Sequence, residues 1–171
     1  MSSAAPAISI TLNRISDQIG RTTAWLTLFM VLVTFSIVVL RYIFGVSFVW
    51  IQESLTWMHA AVFMLGTAYT LQHEEHVRVD IFYRKMTTRH RALVDVLGVL
   101  VFVFPLCAFC IYQSYVYVAT AWGLHEISRD TGGLPYPAVP LLKSMLLLMP
   151  VTVALQSLCL LLQSWPDLRS R

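Results

Sequence analysis

The residues best suited to chemistry are a glutamate, a histidine and two cysteines that lie inside long apolar runs. Glu53 and His59 share one run. An ionised side chain at the centre of a membrane helix costs at least about 2.5–3.5 kcal/mol, so Glu53 needs a partner or a function. Its shallow position in the run favours an interhelical ion pair with Arg41 or Lys143. Contact with another subunit, or a role in carrying a proton or cation, are the alternatives.

The remaining histidines and cysteines do not complete a metal or redox site. Haem held between helices needs two histidines at matching depth, and His59 is the only histidine deep in an apolar run. The sequence HEEH at 73–76 differs from the zinc pattern HExxH, whose histidines stand one turn apart. The CxxC at 107–110 lies among apolar residues, whereas a reactive thiolate needs positive, accessible surroundings. We therefore predict no catalytic residue, no metal and no cofactor.

The composition is that of a membrane protein. Of 171 residues, 57% are hydrophobic and only 12% are charged, with a formal net charge of +3. Soluble proteins carry roughly 25% charged residues. This composition argues against a disordered chain, a nucleic-acid-binding protein and most soluble enzymes.

Four apolar runs are long enough to cross a hydrocarbon layer of about 30 Å as helices. They cover residues 22–40, 48–71, 92–122 and 139–162. The fold class is therefore all-α, a single membrane domain with four transmembrane helices. The third run exceeds the bilayer thickness, and Pro105 near its middle predicts a kink.

The connectors carry features of their own. Amphipathic spacing predicts a helix on the membrane surface over 8–21 and another over 77–87, where Arg78, Arg84 and Lys85 would meet anionic lipid. A plain basic loop is the alternative for 77–87. Thr87 or Thr88 is a candidate N-cap for the third span. The turn-rich loop 123–138 is either a solvated link or a contact for a periplasmic partner, with three charged candidates: Glu126, Arg129 and Asp130.

Charge placement predicts the orientation. Nine Lys and Arg residues lie on the side of the termini and of the 72–91 connector, and three lie on the other side. Because cytoplasmic loops are enriched in Lys and Arg, both termini are expected in the cytoplasm.

Several short motifs, in order, resemble the small membrane subunit of TRAP transporters, the tripartite ATP-independent periplasmic carriers. The stretches are RYIF at 41–44, WIQE at 50–53, Gly66 and HVRVD at 76–80, followed by EIS at 126–128, GLP at 133–135, Pro140 and Pro150. The resemblance covers about residues 10 to 165. Where the family often has a second acid after Glu53, this chain has Ser54.

The resemblance implies a non-enzymatic protein of the bacterial inner membrane. In that family the small subunit joins a large multi-span subunit that carries an organic acid with sodium, and a periplasmic protein delivers the substrate. The small subunit would brace the static part of an elevator-type carrier. A self-assembling four-helix drug exporter and a haem-bearing anchor of a quinone oxidoreductase are the rival interpretations.

Helices in lipid associate through packing and polar contacts. On that basis we expect contact faces at five positions: Trp50, Glu53, Trp57, Gly66 and Gly98. The alternative for the two glycines is that they face lipid and make no contact with another helix.

Overall fold

The computed structural model describes residues 7–72 and 86–169, and within these ranges the chain is helical with no strand. Four helical segments pack together. They are α1 (Ala7–Tyr42), α2 (Val49–Gln72), a segment made of α3 (Thr88–Gly98), a π-helical turn (Val99–Val103) and α4 (Phe104–Gly123), and finally α5 (Ala138–Arg169). The predicted all-helical class is confirmed.

The first helix is longer than predicted. α1 continues without a break through both the predicted surface helix over 8–21 and the predicted span over 22–40. At 36 residues it is about 54 Å long. The periodicity of the two parts is compatible with one helix, and its first part packs on α5 through Asn13 and Ser16 rather than standing as a separate element.

Three of the helical segments are long and apolar enough to cross a membrane: Asn13–Tyr42, Arg89–Gly123 and Ala138–Leu162. α2 has 24 residues, which is about 36 Å, and differs in composition. Gln52, Glu53 and His59 lie in its first half and lower its mean hydropathy. By length, all four helical segments could cross a membrane. By length and apolar composition together, three of them could, and α2 is the exception.

The third segment has a π-helical turn next to Pro105, where a kink was predicted. The backbone N–H of Phe104 donates to the carbonyl of Val99, the five-residue spacing of a π-helix. The wider turn lies directly before Pro105, whose ring would clash with the carbonyl four residues earlier in a regular helix. The π-helical turn thus accommodates the proline without ending the helix, which continues to Gly123.

Thr87 is the N-cap of α3, because its side-chain oxygen accepts a hydrogen bond from the backbone N–H of His90. This confirms one of the two predicted caps. The predicted surface helix over 77–87, with Arg78, Arg84 and Lys85, lies outside the described residues except for Met86 and Thr87.

α5 is the central helix, and it packs against α1, α2, α3 and α4. Many of the buried side chains are small, including Ala61, Ala68, Ala92, Ala121 and Cys159, and small residues let helices approach closely. Most of the large apolar side chains of α1 point outward, among them Trp25, Phe29, Leu32 and Phe35. The molecule therefore has a thin small-residue core and an apolar exterior, as expected for a protein surrounded by lipid.

Candidate functional site

The loop between α4 and α5 forms a compact structure at one end of the helices. His125 has a φ of 50°, and the next backbone N–H, that of Glu126, donates to the carbonyl of Ala121 at 3.0 Å. Gly132, with a φ of 82°, makes the tight turn in which the Gly133 N–H donates to the Asp130 carbonyl at 3.0 Å. These bonds fold the loop back toward the helix that precedes it.

Glu53 holds this loop to α2. Its Oε2 accepts a hydrogen bond from the backbone N–H of Leu134 at 2.6 Å, and its Oε1 accepts one from the hydroxyl of Ser128. Ser128 Oγ also accepts the backbone N–H of Asp130 at 3.1 Å. One carboxylate therefore ties together two parts of a loop that lies 75 to 81 residues further along the chain. We call Glu53, Ser128, Gly133 and Leu134 the loop clamp.

Gly133 belongs to the clamp because it leaves room for it. A methyl group at this position would collide with the side chain of Ser128 and would lie 2.7 Å from Glu53 Oε1. Only a residue without Cβ lets the loop approach the carboxylate this closely. Ser128, Gly133 and Leu134, which carry part of the family resemblance, thus have a shared structural role.

Glu53 was expected to pair with Arg41 or Lys143, and the prediction is wrong for Lys143. Lys143 Nζ lies 2.5 Å from Glu126 Oε2, and it lies 3.9 Å from the centroid of the Tyr117 ring. Arg41 is exposed at the end of α1. Spacing along one helix could not reveal that the loop supplies donors to Glu53, because backbone N–H groups have no sequence signature.

Two tryptophans strengthen the junction between the loop and the helices. Trp57 Nε1 donates to the carbonyl of Ala138, the first residue of α5, at 3.2 Å. Trp122 Nε1 donates to Ser144 Oγ at 2.9 Å, and its ring meets Tyr136 edge-on. Trp50, which was expected to share the role of Trp57, is exposed.

Three charged residues were expected at a partner contact. One of them, Glu126, forms an ion pair with Lys143 of the same chain. Arg129 and Asp130 are exposed at the tip of the loop. The clamp therefore presents Arg129 and Asp130 outward while Glu53 is turned toward the loop backbone.

The opposite end of the bundle has a polar site that was not predicted from the sequence. Ser16 Oγ donates to Gln156 Oε1, and Gln156 Nε2 donates to Asn13 Oδ1, both at 3.0 Å. Gln156 is only 2% exposed. This amide network joins α1 to α5 without any charge. Gln156 is a polar residue in an apolar run, which is the signal that identified Glu53, but a search limited to charges passes over it.

The candidate metal and redox positions do not converge in the part of the chain that the structure describes. No group of three or more His, Cys, Asp and Glu residues there is placed to hold a metal ion. Cys107, Cys110 and Cys159 are free thiols in the helical bundle. His59 contacts the ring of Phe63, with centroids 4.7 Å apart, and the HEEH stretch at 73–76 lies outside the described residues.

A helical bundle with long apolar segments, a small-residue core and an apolar exterior is that of an integral membrane protein. The family model described as "Tripartite ATP-independent periplasmic transporters, DctQ component" matches residues 30–167. The chain belongs to this family, and is therefore a TRAP transporter small subunit rather than an enzyme. Searches of curated proteins and of solved structures give no significant match.

Proposed function

We propose that the chain is the non-catalytic small subunit of a sodium-coupled TRAP transporter and braces the large subunit during uptake of an organic acid. The observation that carries this proposal is that two charged side chains near the ends of the apolar helices already have partners within the chain. Glu53 bonds the loop backbone, and Lys143 bonds Glu126. A coupled pathway for a carboxylate and sodium needs polar groups that can bind and release them, and these two charges are already engaged in structure.

The open spaces of the described residues support the same proposal. A groove of about 470 Å³ along α1 is lined largely by apolar side chains, including Met30, Val31, Phe35 and Val38. Another, between α2 and α5, is lined by Trp57, Met145 and leucines together with Ser144. Grooves of this kind fit acyl chains or apolar helix faces rather than a hydrated anion.

The proposed topology has four transmembrane helices, with α2 as the fourth member, in the bacterial inner membrane. α2 is long enough to cross, and it packs along both α1 and α5. The excess of Lys and Arg at the termini and in the 72–91 connector favours cytoplasmic termini. The clamped loop 123–138 then lies on the periplasmic side.

The proposed role follows from what an elevator-type carrier requires. One domain of the large subunit moves across the bilayer, so the other must be held in place. Long helices extend the lipid-bound perimeter of the stationary part. Arg129 and Asp130, exposed on a loop that Glu53 holds in place, are the candidates for contact with the periplasmic substrate-binding protein.

The two rival interpretations lose their basis because the chain belongs to a family of transporter components. A haem-bearing anchor would need a second histidine facing His59, and a drug exporter would need a membrane carboxylate free to bind a cation. Glu53 accepts two hydrogen bonds from its own chain.

Co-purification tests the proposal. The chain is co-expressed with the large membrane subunit of its transporter and purified through a tag on either one. We expect a stable complex from both directions, while an unrelated four-helix membrane protein carrying the same tag retains no large subunit. If the two subunits separate in mild detergent and also fail to cross-link in membranes, the proposed function is wrong.

A further inference from the structure

α2 has an outward face whose chemistry differs from the rest of the exterior. Its residues follow the four-three spacing of one helix side, and we call them the α2 stripe: Gln52, Thr56, His59, Phe63, Gly66 and Thr70. The first four are exposed and the last two are half-buried. The buried alanines Ala61 and Ala68 lie on the opposite side of the helix, against the bundle.

The stripe places a histidine at the level of the membrane interior. Tyr69 of α2 packs on Gly20 of α1. Because only residues 43–48 connect the two helices and both residues lie far from that connector, α1 and α2 are antiparallel. Ten residues before Tyr69, His59 therefore lies opposite the residue ten positions after Gly20, which is Met30. Met30 is near the middle of the apolar run of α1.

His59 makes no hydrogen bond within the described part of the chain, and its ring packs against the ring of Phe63. A neutral imidazole has one donor and one acceptor nitrogen. Acyl chains can satisfy neither, and ionisable residues at this depth face protein or water rather than lipid. The exposed imidazole of His59 would therefore be stabilised by a hydrogen-bonding group of another membrane helix.

The exposed polar groups of α1 show the contrast. Thr34 Oγ1 donates to the Met30 carbonyl at 2.7 Å, and Ser36 Oγ donates to the Leu32 carbonyl at 2.8 Å. Both hydroxyls are satisfied within their own helix, so this face is compatible with lipid. An imidazole at position 59 has no such bond in α2.

The shape beside the stripe fits a helix. Nothing lies within 4 Å of a methyl group placed on Gly66. Gly66 and Phe63 border an open groove of about 440 Å³ between α1 and α2, with Gly20, Thr23 and Ala24 on its far wall. Small residues of this kind let a neighbouring helix approach closely.

We infer that the α2 stripe is the docking surface for a transmembrane helix of the large subunit, which offers His59 a hydrogen-bonding side chain and packs over Gly66. This inference rests on the proposed function and adds the face through which it operates. It also accounts for the polar residues Gln52, Thr56 and His59 on one side of α2, because a helix covered by protein need not be apolar all round.

Site-specific photo-cross-linking in the intact complex tests the surface. The photoreactive residue benzoylphenylalanine replaces Phe63 in the stripe, and Phe35 on α1 serves as the control because the two phenylalanines are 66% and 67% exposed. We expect the probe at 63 to form a product with the large subunit and the probe at 35 to react mainly with lipid. Cross-linking at 63 to a second copy or to lipid alone overturns the inference.

Two pairs of substitutions test the chemistry and the shape. Gly66→Leu should reduce the co-purified large subunit several-fold, whereas Gly98→Leu should not, although Gly98 is equally open. His59→Leu should weaken the complex and His59→Gln, which keeps hydrogen-bonding capacity, should restore it. Equal retention by all four variants would contradict the inference while the wild-type complex still upholds the proposed function. Loss of the wild-type complex itself would overturn both.

Discussion

The two ends of the bundle are held together by different chemistry. At the loop end, Glu53 bonds backbone and side-chain donors of the loop, and Lys143 pairs with Glu126. At the other end, Gln156 bonds Ser16 and Asn13 through neutral groups. A charge can be kept where a polar loop satisfies it, while a buried contact between two membrane helices is cheaper with amides and hydroxyls. The charged contacts at one end thus hold a loop against α2, and the neutral contacts at the other end hold α1 against α5.

Removing the Glu53 carboxylate should have the largest effect on the loop. Glu53→Ala leaves the Leu134 N–H and the Ser128 hydroxyl without their acceptor, so the loop should detach. In the reconstituted protein, tryptic cleavage after the exposed Arg129 should become much faster, while cleavage after the exposed Arg41 serves as the internal control.

Glu53→Gln should give an intermediate rate of cleavage, because its amide oxygen can still accept the Leu134 N–H. Unchanged cleavage at Arg129 in both variants would contradict the role of the clamp. A change in the pH dependence of uptake by Glu53→Gln, with assembly intact, would instead favour Glu53 as a proton carrier.

Adding one methyl group to the clamp should cost about 1–3 kcal/mol of stability. In Gly133→Ala the new Cβ would meet Ser128 and would lie 2.7 Å from Glu53 Oε1. Gly123→Ala is the matched control, because nothing lies within 4 Å of a methyl group there. Thermal unfolding in detergent should separate the two variants, and a Gly133→Ala protein as stable as Gly123→Ala would show that the loop is not tightly held.

Breaking the amide network should cost about 1–2 kcal/mol. Gln156→Leu removes the partner of both Asn13 and Ser16, yet it should leave tryptic cleavage at Arg129 unchanged because the loop end does not depend on it. Thr34→Val is the control, since that hydroxyl bonds only its own helix. Faster cleavage at Arg129 in Gln156→Leu would mean that the two ends are coupled.

The smallest effect is expected from Lys143→Met, below about 1 kcal/mol, because both partners of this ion pair are partly exposed. The methionine keeps most of the packing on Tyr117, which lies 3.9 Å below the ammonium group. Thermal unfolding measured together with Glu126→Gln in a double-mutant cycle isolates the pair. If the coupling energy of this ion pair exceeded the stability lost by breaking the amide network, the predicted order of the two contributions to stability would be reversed.

The helices were largely predictable from the sequence, and the contacts between them were not. Long apolar runs and Pro105 locate the segments because the bilayer imposes a length and proline disturbs the helix next to it. The clamp joins positions 75 to 81 residues apart, and helical periodicity contains no information on which loop atoms meet Glu53. The continuity of α1 was missed because an amphipathic stretch and an apolar stretch have the same helical period.

The family resemblance located the clamp residues without explaining them. Ser128, Gly133 and Leu134 stood out as motif positions. In the structure Ser128 and Leu134 donate to Glu53, and Gly133 leaves the space for this contact. Gly66 and Gly98 looked equivalent in the sequence, and both are open in the structure. Gly66 shares one side of its helix with the exposed His59, two turns away. The exposure of that side is visible only in the folded structure.

Uptake in proteoliposomes tests the central claim most directly. Vesicles with this chain alone, with the large subunit alone and with both together are compared for sodium-driven uptake of the organic acid presented by the binding protein. The account predicts no uptake by this chain alone and sustained uptake when both subunits are present. Sodium-dependent accumulation by this chain alone would contradict it.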